Sequence, residues 1–135
     1  LRRLVGSEMC IRDSLIIAPI PSCVLMYKQE LPLLFPDNQD LLKVSKSFRD
    51  PFEFLNMLND EGILKTDFNT ELGNISYQVA CHQRVQNFGM LTKKILELVP
   101  GTTVNAIERC SGHDGTYGVK LETHDIAIKI ARPIT

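Results

Sequence analysis

Three cysteines lie just after short apolar segments that are typical of β-strands. Cys23 follows LIIAPI, Cys81 follows ISYQVA directly, and Cys110 lies two residues beyond TTVNAIE. Because the carboxyl ends of parallel strands share one edge of a sheet, this pattern predicts that the three thiols converge. Thiolates bind soft metal centres, so the first hypothesis is an iron–sulfur or zinc site at that edge.

The alternative for each cysteine is a small buried apolar residue without any ligand. This alternative is strongest for Cys23, whose neighbours are apolar. It is weaker for Cys110, because Gly112 and Gly115 supply flexible backbone whose N–H groups can face a ligand. Neither the ferredoxin cysteine run nor the paired zinc C-x-x-C motif occurs. The residues alone therefore predict a thiolate site and leave open which metal it holds.

Polar side chains beside these cysteines are candidates for the same site. His82 adjoins Cys81, and His113 lies within the glycine turn. Either histidine could be a ligand, a proton carrier or a hydrogen-bond partner of sulfur, and the alternative is a solvated loop histidine. Arg84 is expected near the same edge, with a solvent-facing position at a helix start as its alternative.

The elements that must position these residues alternate between strands and helices. Strands are predicted at 15–20, 75–80 and 102–108. Helices are predicted from Cys23 with Ser22 as the cap, from Asp37 to Ser47, from Asp50-Pro51 to Gly62, over 87–99 and over 116–132. The second half then reads as a βαβ unit. The predicted fold class is α/β, with parallel strands, flanking helices and the thiols at the carboxyl edge of the sheet.

Composition narrows the class of protein. The chain has 135 residues, of which 44% are hydrophobic and 23% charged, and this balance is typical of a globular domain. A formal net charge of −1 gives no indication of a nucleic-acid surface. No apolar run approaches the roughly 20 residues of a membrane-spanning helix.

Residues 1–14 are interpreted as foreign to the fold. Back-translated, Leu4 to Ser14 can match a transposase sequencing adaptor read in frame, so the segment is treated as a scar. A twin-arginine signal at Arg2 and Arg3, or a lipoprotein signal ending at Cys23, is set aside for this reason. The remaining segment is then expected to begin within a gene.

Three motifs resemble the cysteine-rich (CCG) domain family of iron–sulfur oxidoreductases. They are PSCVLMYKQELP, ACHQRVQNFG and ERCSGHDGTYGVK, and the likeness covers nearly all of residues 15–135. The family includes the cysteine-rich subunit of heterodisulfide reductase and the corresponding subunit of anaerobic glycerol-3-phosphate dehydrogenase. The second and third motifs are the more specific ones, and they resemble the glycerol-3-phosphate dehydrogenase branch.

The resemblance implies a domain division. Proteins of this family carry two copies of a module, each with a cysteine, then Cys-Cys-Gly, then C-x-x-C. Residues 15–70 would be the C-terminal part of the first module with a helical connection, and 71–135 the N-terminal part of a truncated second module. Cys23 would close the first site, where Ile20 replaces the first cysteine of the C-x-x-C motif.

The resemblance assigns the other two cysteines to the second module. Cys81 would open its site, and Cys110 would belong to its Cys-Cys-Gly, in which Ser111 replaces the second cysteine. The closing cysteine would follow Thr135. Because the full cysteine set is not present, the implied cofactor is a [4Fe–4S] cluster with fewer thiolates or with a ligand other than cysteine.

The implied function is an electron-transfer subunit of an oxidoreductase complex, without catalytic residues of its own. It would pass electrons between a flavin-dependent dehydrogenase subunit and an acceptor such as a quinone, in the cytoplasm or at the cytoplasmic face of the membrane. A structural zinc module and a cluster-free interaction scaffold remain as alternatives. The implied ligands are Cys23, Cys81 and Cys110. The residues implied as hydrogen-bond partners or further ligands are His82, His113, Gly112, Gly115, Ser111 and Arg84.

Overall fold

The chain divides into two compact units, and the division along the sequence falls between Leu64 and Lys65. The structure is a computed structural model, and it describes residues 15–113 and 115–134. Residues 1–14, interpreted above as a scar, lie outside the described residues. Each unit contains helices and one small parallel sheet, so the fold is a mixed α/β fold. The predicted division between 70 and 71 falls in the polar segment just after the observed boundary.

Among residues 15–64, the first unit contains two very short paired strands and four helices. Strand β1 (Ile16–Ile17) runs parallel to β2 (Phe48–Arg49). The helices are α1 (Pro21–Leu25), α2 (Leu31–Leu34), α3 (Gln39–Ser47) and α4 (Pro51–Asp60), and a π-helical turn (Met26–Glu30) joins α1 to α2. The predicted strand at 15–20 is thus reduced to two residues.

Pro32 explains the π-helical turn. Proline has no N–H group, and its ring clashes with the carbonyl four residues earlier, which here is that of Lys28. The wider turn lets the Leu31 N–H donate to the Met26 carbonyl five residues back. The Lys28 carbonyl accepts a hydrogen bond from the Ser45 hydroxyl at 2.9 Å. The proline thereby frees a carbonyl that ties this segment to α3.

Side-chain caps set two helix starts in this unit. Asp50 is 1% exposed and begins α4 with a capping box, in which Glu53 accepts from the Asp50 N–H at 3.3 Å. Such a cap contributes about 1–2 kcal/mol to stability. Asn38 caps α3 by accepting from the Leu41 N–H at 3.0 Å. The predicted cap at Ser22 is wrong, because Ile20 occupies the cap position and proline fills the first turn.

The second unit contains the predicted strand–helix–strand order. Strand β3 (Asn74–Gln78) pairs in parallel with β4 (Thr103–Ile107) over five residues. Two helices connect them, α5 (Cys81–Val85) and α6 (Gly89–Leu96), where one helix over 87–99 was predicted. Asn87 separates the two with a φ of 60°. The buried apolar side chains of this unit are Val79, Phe88, Ile95, Val99, Val104 and Ala127.

The last helix is shorter and more exposed than predicted. A 3₁₀ turn (Tyr117–Val119) precedes α7 (Leu121–Ala131), and a second 3₁₀ turn (Arg132–Ile134) follows it. Three isoleucines of α7, Ile126, Ile128 and Ile130, are 41–49% exposed. Ala127 is the residue of α7 that packs inward. None of the helices in the described ranges is long and apolar enough to cross a membrane.

The prediction that all three strand ends share one sheet edge is wrong. Strand β1 pairs with β2, a strand that the sequence did not predict, while β3 and β4 form a separate sheet. Two of the three cysteines therefore follow strands of one sheet, and Cys23 follows a strand of the other.

Candidate thiol site

Cys81 and Cys110 occupy equivalent positions past two neighbouring strands. Each lies three residues beyond its strand, and the last register pair is Gln78 with Ile107. The ladder continues beyond that pair, because the Val79 N–H donates to the Ile107 carbonyl at 3.0 Å. Adjacent parallel strands lie about 4.8 Å apart, so equal distances past the strands bring the two cysteines together. Both are exposed and neither forms a disulfide.

Gln78 secures the loop that carries Cys110. Its side-chain amide donates to the Arg109 carbonyl at 2.8 Å and to the Val79 carbonyl at 3.0 Å. These bonds join the end of β3 to the residue just before the cysteine. Sequence reasoning missed Gln78, because its partners are backbone groups that come close only after β3 and β4 pair.

The two thiols lie close enough for Cys110 to affect the acidity of Cys81. Partial desolvation raises the pKa of the Cys81 thiol, and the charge of Cys110 and the hydrogen bond to it raise that pKa further. The Arg84 guanidinium lowers the pKa of Cys81. Because Cys81 is exposed as a residue, its desolvation is incomplete.

Gly112 brings backbone against the sulfur of Cys110. Its N–H donates to Cys110 Sγ across 3.4 Å. Its φ is +73°, and an added Cβ would overlap the carbonyl oxygen of Ala127 in α7. The glycine predicted to let backbone approach a site sulfur thus approaches the thiol sulfur itself, held between Cys110 and α7.

A pocket of about 550 Å³ opens beside Cys81. Arg84 Nε lies 3.5 Å from Glu108 Oε2 at this pocket, with 47% and 49% of the two side chains exposed. Glu108 was not predicted as a site residue, although its place at the end of TTVNAIE is the signal that could have indicated it. The lining of this pocket includes neither histidine and no residue of the glycine turn. Its lining consists of Val79, Cys81, Arg84, Val85, Asn87, Gly89, Met90 and Glu108.

The remaining predicted residues differ in burial and in the elements that carry them. His82 is exposed on α5, and His113 and Ser111 are exposed in the loop after Cys110. Cys23 is half-buried on α1 in the first unit. Within residues 15–113 and 115–134, no group of three or more His, Cys, Asp or Glu side chains is arranged to hold a metal ion. The thiol pair therefore offers two donors, and a cluster needs further ligands.

Comparisons with known proteins assign no family to the chain. No family model matches it, and neither does any curated protein or any solved structure. The function proposed below therefore rests on the thiol pair and on the sequence motifs that carry it.

The raised pKa of Cys81 predicts a shifted alkylation profile. Since the thiolate is the reactive form, Cys81 of the reduced, metal-free chain should react with iodoacetamide at higher pH than an ordinary thiol. Cys110→Ala removes the neighbouring charge and the hydrogen bond and should shift the midpoint down, whereas Arg84→Gln should shift it up. Peptide mass spectrometry across a pH series measures each rate. An unchanged midpoint in Cys110→Ala would contradict the thiol contact.

Proposed function

We propose that Cys81 and Cys110 are ligands of an iron–sulfur cluster in an electron-transfer subunit of an oxidoreductase. The observation that carries this proposal is the placement of two exposed thiols at equal distances past adjacent parallel strands. The segments that deliver them, ACHQRVQNFG and ERCSGHDGTYGVK, are the two motifs that most specifically resemble the CCG-domain family.

The surroundings of the pair suit a thiolate-bound cluster. Sulfur ligands of such clusters accept backbone N–H bonds that tune the reduction potential, and Gly112 donates such a bond to Cys110 Sγ. Gln78 fixes the backbone before Cys110, so that its position does not depend on a bound metal. When bound, the cluster would supply one-electron transfer. The chain's part is to hold the sulfurs, donate hydrogen bonds to them and set the local charge through Arg84 and Glu108.

The remaining parts of the proposal come from the family resemblance. It places a closing cysteine beyond Thr135, offers His113 or Ser111 as a further ligand, and assigns Cys23 to a separate site. It also supplies the partners, a flavin-dependent dehydrogenase subunit as the donor and an acceptor such as a quinone. The proposed location is the cytoplasm or the cytoplasmic face of the membrane.

A zinc site is the second candidate, and the thiol contact favours it. Two sulfurs close enough for one to raise the pKa of the other suit a single ion, whereas ligands of two different iron atoms must stand further apart. A cluster would require the exposed cysteine side chains to rotate away from each other. The two candidates therefore differ in whether the thiol contact survives metal binding.

Reconstitution of the full-length gene product distinguishes the two candidates. The reduced protein is incubated anaerobically with ferrous iron and sulfide, or with zinc alone, and then desalted. An iron–sulfur cluster predicts bound iron and acid-labile sulfide in equal amounts, with broad visible absorbance that bleaches on reduction. Retention of zinc without iron and sulfide would support the zinc site. Retention of neither would refute both assignments.

A further inference from the structure

The pairing of β3 with β4 places Cys81 and Cys110 near each other, which is the first requirement of a disulfide bond between them. Disulfides need Cα atoms about 4.4–6.8 Å apart, and neighbouring strands lie about 4.8 Å apart. Cys81 and Cys110 lie equal distances past the last register pair, and the ladder still bonds one residue beyond it. Both cysteines are exposed and lie beyond the ends of their strands.

We propose that Cys81 and Cys110 are a modification site, at which a small-molecule disulfide oxidises the metal-free pair to a reversible intrachain disulfide. One cysteine sulfur attacks the reagent, forms a mixed disulfide and releases one reduced thiol. The other cysteine attacks the protein-bound sulfur and releases the second. Both cysteines are oxidised, the reagent is reduced to two thiols, and the two cysteine protons pass to those thiols.

Local contacts favour this pairing over others. Gln78 and Gly112 hold the Cys110 loop through hydrogen bonds of 2.8 Å and 3.4 Å. The sulfur of Cys110 is therefore kept near the sulfur of Cys81. An intramolecular attack within a fixed site has an effective concentration on the order of millimolar or more. The mixed disulfide is therefore short-lived when both cysteines are present.

The disulfide would make both sulfurs unavailable as ligands, so oxidation and metal loading exclude each other at this site. The inference does not rest on the proposed function, because the pair is oxidised without metal. A chain that forms the disulfide but never binds a cluster would refute only the proposed function. A chain that binds a cluster but forms no disulfide would refute only this inference.

The test uses the whole chain, stripped of metal with a chelator, reduced, and then exposed to oxidised glutathione. Free thiols are trapped with N-ethylmaleimide and the peptides are mapped by mass spectrometry. We expect one linked peptide pair containing Cys81 and Cys110, which loses the link on treatment with reductant. In Cys110→Ser, Cys81 should instead keep the glutathione adduct.

Cys23→Ser is the matched control, since it removes a half-buried thiol of the first unit and should leave the link between Cys81 and Cys110 unchanged. The inference is overturned if the wild-type chain keeps glutathione adducts or free thiols at both positions. It is equally overturned if either cysteine links predominantly to Cys23 or Cys10.

Discussion

Cys110→Ser and Cys81→Ser should each remove most of the iron and acid-labile sulfide from the reconstituted full-length protein. Serine differs from cysteine by one atom, but its hydroxyl is a poor ligand for a soft centre. Changing an outer hydrogen-bond partner of a metal ligand already costs about 10–100-fold in affinity, so losing the ligand should cost at least that much. Both residues are exposed, so the helical content should be unchanged.

The control for this experiment is Cys23→Ser, the same chemical change in the first unit. It should retain the iron held by the second unit, because the resemblance assigns Cys23 to a different site. Iron and sulfide are quantified after desalting, and far-ultraviolet circular dichroism reports the fold. Full iron in both Cys81→Ser and Cys110→Ser would show that the thiol pair is not the cluster site.

The second unit could be predicted largely from the sequence, because its signals are local. ISYQVA and TTVNAIE are each long enough to read as strands, and the segment between them is long enough for a crossover helix. Such a connection makes the strands parallel, and parallel pairing places Cys81 and Cys110 at one edge. Their convergence followed from order along the chain alone.

The first unit could not be predicted to the same degree, because its pairing is too short to leave a pattern. Phe48–Arg49 is a two-residue strand, and two residues show no alternation. The partner of β1 was therefore missed, and β1 was assigned to the wrong sheet. The hydrogen bond from Ser45 to the Lys28 carbonyl could not be predicted either. Pro32 indicates that this carbonyl has no partner within the helix, but the sequence does not show which group donates to it.

The polar contacts at the site also could not be predicted from the sequence. The pairing of Arg84 with Glu108 and the bonds from Gln78 join groups that are distant in the sequence. Sequence reasoning could name Arg84 from its distance to Cys81, but not its partner. His82 adjoins Cys81 in the sequence and His113 lies three residues after Cys110, yet neither histidine lines the pocket beside Cys81.

Gly112→Ala should destabilise the second unit far more than Gly115→Ala. Both glycines have a positive φ, +73° and +50°, so each alanine pays about 1–2 kcal/mol for a left-handed backbone. At Gly115 an added Cβ meets nothing within 4 Å. At Gly112 it would overlap the Ala127 carbonyl oxygen and lie 3.0 Å from the carbonyl carbon. These are helix backbone atoms that cannot rotate away, and overpacking of this kind adds about 1–3 kcal/mol.

Urea denaturation of the two variants measures this difference in the free energy of unfolding. The expected losses are about 2–5 kcal/mol for Gly112→Ala, the sum of both costs, and about 1–2 kcal/mol for Gly115→Ala. Equal losses would contradict the close approach of residue 112 to α7. A displaced loop would also carry Cys110 away from Cys81, so the alkylation midpoint of Cys81 should fall in folded Gly112→Ala, as in Cys110→Ala. Gly115→Ala should keep the wild-type midpoint, which separates loss of the thiol contact from a general effect of alanine in this turn.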